Sequence, residues 1–83
     1  MKYKELERAI NKVYESNGLA VPCYTKRNGN DDGVSGFNGL EVRTEISSCD
    51  YAYSKMINAV EKVSSNYIVE NNGGCVYFIY DLV

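Results

Sequence analysis

The strongest constraint on the fold is a turn signal near the end of the sequence. The residues Asn71-Asn72-Gly73-Gly74 separate two segments rich in β-branched and aromatic side chains, 67–70 and 75–82. An Asn-Gly pair between two such segments is the strongest short-range signal for a β-hairpin, because both residues tolerate the positive φ angles of a tight turn. The spacing predicts a hairpin whose turn is the central Asn-Gly pair, with Ile68 opposite Tyr77. The second segment is apolar on both sides, which predicts a central strand of a sheet.

The preceding sequence alternates between helical and strand periodicity. Apolar side chains recur on one side of 4–16 and of 49–63, which predicts two amphipathic helices. The segment 40–46 alternates apolar and polar residues, as a half-buried strand does. A further possible strand, 19–26, contains Pro22, which confines it to a sheet edge or a bulge.

These segments give the order α-β-β-α-β-β in one small domain, residues 1–83. Four short strands and two helices close most simply as a four-stranded, mainly antiparallel sheet with both helices packed on one face. We therefore predict an α+β fold of that kind. The alternative places the helices on opposite faces, which would bury both sides of the sheet within one monomer.

The composition argues against catalysis and against a bound cofactor or metal. The sequence contains no His, the side chain whose unperturbed pKa lies near neutrality. Its cysteines, Cys23, Cys49 and Cys75, form neither a C-x-x-C motif nor a disulfide framework. We expect reduced, mostly buried thiols, no cofactor, no catalytic residue and a cytoplasmic protein without a membrane segment.

The loop 28–39 invites two ligand-binding interpretations, and neither fits. It begins with oxygen-bearing side chains at alternate positions, as a calcium loop does, but Gly39 stands where such a loop needs a bidentate Glu. Its glycine spacing matches neither a P-loop nor a dinucleotide-binding fingerprint. The segment is either a plain flexible connection or a recognition loop with Phe37 at its tip.

Two carboxylates share one side of the strand 40–46. Glu41 and Glu45 would lie about 13–14 Å apart at the rise of a β-strand. That separation exceeds the one that glycosidases use. Arg43 lies between the two residues, so we expect the three side chains to form a structural ladder of charges.

An apolar patch on the helix-free face of the sheet is the main candidate site. Asp81 falls on the same side of its strand as Tyr77 and Ile79, which marks that side as the less buried one. The predicted hairpin register adds Ile68 to the patch. Because monomers seldom leave such patches exposed, we expect a partner protein or a second copy of the chain to cover it.

Tyrosine is unusually abundant, with 8 residues among the 83, and its apolar ring with a polar tip suits protein interfaces. Tyr51, on the polar side of the second helix, and Phe37 in the loop complete the predicted partner-binding set. We predict a small non-catalytic protein-binding module that docks on a larger protein and inhibits or modulates it. Small inhibitors from phages and mobile elements share this size and composition, but no motif identifies a family.

The alternative is a nucleic-acid-associated regulator. Its contacts would be a basic ridge on the first helix and two basic residues at and directly after the end of the possible strand 19–26: Lys4, Arg8, Lys12, Lys26 and Arg27. The formal net charge of −2 weighs against this function, because phosphate neutralisation drives nucleic-acid binding. We therefore rank nucleic acid below a protein as the expected partner.

Overall fold

The computed structural model describes residues 2–27, 39–45 and 51–81. This part of the chain forms two helices and four strands. Their order is α1 Tyr3–Ser16, β1 Cys23–Arg27, β2 Gly39–Arg43, α2 Tyr51–Val63, β3 Tyr67–Asn71 and β4 Val76–Asp81. The predicted order α-β-β-α-β-β is therefore confirmed.

The four strands form one antiparallel sheet in the order β1-β2-β4-β3. The last strand of the chain is central, as its two-sided apolar sequence predicts. The strand that follows Pro22 lies at an edge of the sheet, where proline removes no ladder hydrogen bond.

The first helix ends through a local capping motif. Gly18 adopts a left-handed conformation with φ +69. Its backbone N–H donates to the carbonyl of Glu15 at 3.1 Å, and that of Leu19 donates to the carbonyl of Tyr14 at 2.9 Å. These two bonds are the Schellman pattern, which satisfies the last carbonyls of the helix. The half-buried Leu19 then packs against the core.

Both helices cover the same face of the sheet, as predicted. One cluster of buried side chains joins them to the strands β2, β3 and β4: Leu6, Ile10 and Tyr14 from α1, Met56 and Val60 from α2, and Leu40, Val42, Tyr67, Tyr77 and Ile79 from the sheet. The ring of Tyr53 on α2 lies 4.8 Å, centroid to centroid, from that of Tyr77. Within the described residues, neither helix has the length and apolar character needed to span a bilayer.

The predicted register of the β3–β4 hairpin is wrong by three residues. Ile68 lies opposite Tyr80, where the sequence predicted Tyr77. The backbone N–H of Asn72 donates to the carbonyl of Val76 at 2.8 Å, so three residues close the turn. Gly73 and Gly74 both have positive φ, +90 and +58, and this pair of glycines allows a wider turn than Asn-Gly alone.

The predicted assignment of faces on β4 is wrong. Asp81 indicated that the side of Tyr77 and Ile79 is the less buried one, whereas the odd-numbered shift of register places Ile68 on the side of Tyr80 and not on that of Tyr77. Tyr77 and Ile79 were predicted to lie on the helix-free face, but both are 0% exposed beneath the helices. Asp81 lies on the same side of β4 as Tyr77 and Ile79. It remains half-exposed because it lies at the end of the strand, opposite Tyr67.

A matched pair of isoleucine substitutions tests which face is internal. Ile79→Ala removes a fully buried side chain, so we expect the free energy of unfolding to fall by about 2–5 kcal/mol. Ile68→Ala removes the same atoms from the half-buried opposite face, and we expect a loss of about 1 kcal/mol or less. Urea unfolding measures both values, and an equal or reversed ranking would contradict this fold.

Candidate functional site

The two helices run antiparallel and leave an open groove between them. At one end, the backbone N–H of Lys2 donates to the hydroxyl of Tyr67, just after α2, at 2.8 Å. At the other end, the hydroxyl of Tyr14 lies 4.0 Å from the sulfur of Met56. The groove has a volume of about 730 Å³, and no residue of the sheet lines it. It therefore lies on the outer surface of the helix layer.

The floor of the inter-helix groove is apolar and built from small or β-branched side chains. Ala9 and Val13 contribute from α1, and Ala59 and Val63 from α2. All four are half-buried. The helix pair thus buries its larger apolar residues against the sheet and presents shorter ones at the outer seam, where another backbone can approach closely.

The banks of the inter-helix groove carry positive charge. Arg8 and Lys12 lie one helical turn apart on α1, and Lys55 and Lys62 lie two turns apart on α2; all four side chains line the groove. Among the described residues, none of these four cations lies within 4.0 Å of a carboxylate oxygen. Glu5 also lines the groove and offsets one charge. A chain of net charge −2 therefore concentrates an excess of positive charge on this surface.

Tyr51 extends the α2 bank of the inter-helix groove. This side chain is 73% exposed, as the polar side of the predicted helix implied. The Nζ atom of Lys55 lies 4.3 Å from the centroid of its ring. The spacing of Tyr51, Lys55 and Lys62 places the three residues on one side of the helix. An exposed aromatic ring therefore adjoins the cationic groove.

The basic residues predicted for nucleic-acid binding lie on two elements, α1 and β1. Lys4, Arg8 and Lys12 are all exposed on α1, as the ridge predicts. Lys26 lies instead on the edge strand β1, with its Nζ atom 4.8 Å from the centroid of the Tyr3 ring. Arg27 is on the helix-free side of the same strand and is engaged by a carboxylate.

That carboxylate belongs to Glu41, which is only 5% exposed although the sequence predicted a solvent-facing position. Its Oε1 atom accepts hydrogen bonds from the Nε and Nη2 atoms of Arg27 at 3.2 and 3.1 Å. Its Oε2 atom accepts one from the Nε atom of Arg43 at 2.7 Å. The predicted Glu41–Arg43 contact is thus confirmed. Glu45, the third member of the predicted ladder, is exposed.

The two arginines hold Glu41 in its charged form. Burial alone would raise the pKa of this carboxyl, but the hydrogen bonds and charges of Arg43 and Arg27 hold the pKa below its ordinary value. A carboxylate kept charged and enclosed by two guanidinium groups is poorly suited to proton transfer. Its role is to tie the edge strand β1 to its neighbour β2.

The helix-free face of the sheet carries a different apolar set from the predicted one. Ile68 lies there as predicted, beside the half-buried Phe78 and Tyr80 of the central strand. The hydroxyl of Tyr80 donates to Oε1 of Glu70 at 2.6 Å, and this hydrogen bond raises the pKa of the phenol. Tyr77 and Ile79 are inaccessible to a partner in the folded chain.

The remaining predictions concern the cysteines and the loop. Cys23 is exposed and Cys75 is half-buried, so the expectation of mostly buried thiols is wrong for Cys23. Cys49, Phe37 and the calcium-like part of the loop lie outside the described residues. The described residues contain no group of three His, Cys, Asp or Glu side chains that could hold a metal ion.

Sequence reasoning identified Arg8, Lys12 and Tyr51 separately, under two different functions, and missed Lys55 and Lys62. Their spacing of seven residues places them on one line of the second helix, which was an available signal. The packing of the two helices determines which cations of α1 these lysines face. No local pattern in the sequence predicts that packing.

No protein-family model, curated protein or solved structure matches this chain.

The charged clamp of Glu41 predicts a pH-dependent contribution to stability. Because its pKa in the folded chain lies below the ordinary 4.5, the clamp stabilises the fold above that pH, and this contribution is lost as the pH falls through the lower folded value. We expect Glu41→Gln to lower the free energy of unfolding by about 1–2 kcal/mol at pH 7. The difference from the wild type should shrink between pH 4.5 and pH 3 in urea unfolding experiments.

Glu45→Gln is the matched control, because it removes the same charge from an exposed position two residues after β2. We expect it to change the free energy of unfolding by less than about 0.5 kcal/mol at either pH. A Glu41→Gln deficit that stays constant down to pH 3 would contradict the assigned clamp.

Proposed function

We propose that this chain is a non-catalytic module that binds a larger protein, and that the inter-helix groove with Tyr51 is its contact surface. The partner that fits this surface presents acidic side chains around an apolar contact. Such a module inhibits or modulates its partner by covering part of the partner's surface. The observation that carries the proposal is the set of four cations around an apolar floor, none of which forms an ion pair with a carboxylate of the described residues.

The composition of the groove supports a protein partner. Protein interfaces combine an apolar centre with a polar rim, and tyrosine and arginine are enriched among the residues that dominate binding energy. The groove has an apolar floor, an arginine on one bank and the exposed ring of Tyr51 beside the other. Its cations attract an acidic partner over distances of about 8 Å at physiological salt.

The site chemistry favours binding over catalysis. The whole sequence contains no His. The buried carboxylate of Glu41 is committed to Arg27 and Arg43. The groove itself is open, and the titratable side chains that line it within the described part of the chain are Arg8, three lysines and Glu5. Nucleophilic catalysis requires a nucleophile next to a base that activates it, and these side chains do not provide such a combination.

The cations also support a second candidate function, the binding of nucleic acid through phosphates. Arg8 and Lys12 were predicted to take part in it, and Lys55 and Lys62 add to them. Phosphate contacts need only the cations, whereas a protein contact also uses Val13, Val63 and the rest of the apolar floor. Because nucleic-acid affinity falls steeply between about 50 and 200 mM salt, the salt dependence of binding separates the two functions.

Charge reversal in the groove tests the proposed contact surface. The double variant Lys12→Glu/Lys62→Glu should lose at least about tenfold in affinity for the protein partner, since opposed charges across an interface repel. Affinity capture with the wild-type chain from its source cell supplies the partner, and titration of that purified partner by isothermal calorimetry measures the loss. Thermal unfolding of the variant should stay close to that of the wild type, because both lysines are exposed.

The matched control is Lys2→Glu/Lys26→Glu, which changes the net charge by the same amount at exposed positions outside the groove. We expect it to retain affinity for the partner within about twofold. Equal losses in the two double variants would contradict the groove as the contact surface. If a labelled single-stranded oligonucleotide binds the wild type at 200 mM salt and the groove variant does not, the nucleic-acid function replaces the proposed one.

A further inference from the structure

We infer that the occupant of the inter-helix groove is a single amphipathic α-helix of the partner, with acidic side chains on both sides of an apolar stripe. This inference rests on the proposed function of the groove as a partner-contact site. It adds the secondary structure of the partner segment and the pattern of its charges, neither of which that function requires.

The backbone chemistry of the groove favours a helix over an extended segment. The groove is lined by residues of two helices and by Asn17, and the backbone groups within α1 and α2 are satisfied by their own helical hydrogen bonds. An extended peptide laid there would find no free strand edge with which to pair, so its own backbone groups would lose water without gaining partners. A helix brings its backbone hydrogen bonds with it.

The floor of the groove fits the apolar stripe of such a helix. Helices pack with their axes about 8–10 Å apart, and the distance depends on the side chains at the contact. Ala9 and Ala59 are the smallest residues of the floor and lie on opposite helices, so a third helix can approach the seam between them. Val13 and Val63 are half-buried and offer further apolar surface that an apolar stripe would cover.

The cations lie on both banks of the groove, which sets the charge pattern of the occupant. Arg8 and Lys12 lie about 6 Å apart along α1, and Lys55 and Lys62 about 10.5 Å apart along α2, at the rise of an α-helix. A helix lying along the groove has the same rise. Acidic residues at i and i+4 on one flank and at i and i+7 on the other would therefore face these four cations.

A designed peptide provides the test. The probe is a synthetic peptide of about 16 residues, which spans about 24 Å as a helix, with leucines on one stripe and glutamates on both flanks. A second peptide has the same composition in an order that mixes leucine and glutamate around the helix. We expect the amphipathic peptide to bind at least about tenfold more tightly in calorimetry and to gain helical circular dichroism on binding.

The double variants locate the peptide on the protein. Lys12→Glu/Lys62→Glu should weaken binding of the amphipathic peptide by about tenfold or more, whereas Lys2→Glu/Lys26→Glu should leave it within about twofold. A variant peptide with glutamine in place of every glutamate should also lose affinity for the wild type. If either prediction fails, the cationic banks do not set the charge pattern of the occupant, and the inference is overturned.

Two outcomes separate this inference from the proposed function. Equal binding of the two peptides of identical composition, or binding without a gain of helix, would overturn the helical occupant. The protein-binding function would stand in that case, because it is judged on the cellular partner and its sensitivity to the groove variants. Tighter binding of a single-stranded DNA of matched charge than of the amphipathic peptide would overturn both.

Discussion

The pairing of β3 with β4 determines which surfaces of this small protein are available. Val69 lies opposite Ile79, and the wider turn at Gly73 and Gly74 sets this register. Because side chains alternate along a strand, the register places Tyr77 and Ile79 together on the side that the helices cover. A slip by one residue would turn these two large apolar side chains away from the core and remove the surface on which both helices pack.

The helix layer follows from that buried face. Leu6, Ile10 and Tyr14 of α1 are buried in the same cluster as Met56 and Val60 of α2, so each helix directs its larger apolar side chains inward. The smaller apolar residues are left at the outer seam between the helices, and the charged residues are left around it. The same packing that stabilises the sheet therefore creates a groove with an apolar floor and cationic banks.

Local signals in the sequence predicted much of the fold. The stop of the first helix at Gly18 was predictable because a single glycine supplies the left-handed cap, and the central position of β4 was predictable because both of its sides are apolar. The hairpin register was not, because Asn71-Asn72-Gly73-Gly74 is compatible with more than one turn length. The face of Tyr77 was not predictable either, because Asp81 on the same side of β4 indicates an exposed side, whereas this residue is half-exposed only at the end of the strand.

The candidate site was less predictable than the fold. Arg8 and Tyr51 each stood out locally, the first through a basic ridge and the second through its position on a polar helix side. Their relation to Lys55 and Lys62 arises from the packing of two helices distant in sequence, which no periodicity encodes. Conversely, Arg27 was predicted as a free cation, but strand pairing brings it to the carboxylate of Glu41.

The internal face of the sheet is the claim on which the proposed contact surface depends, and methyl contacts measured by NMR test it most directly. We expect nuclear Overhauser effects from the methyl groups of Ile79 to methyl groups of the helix residues in the buried cluster, and none from Ile68 to those groups. If nuclear Overhauser effects instead connect Ile68 to the methyl groups of the helices and none connects Ile79 to them, the opposite face of the sheet is the internal one and this fold is contradicted.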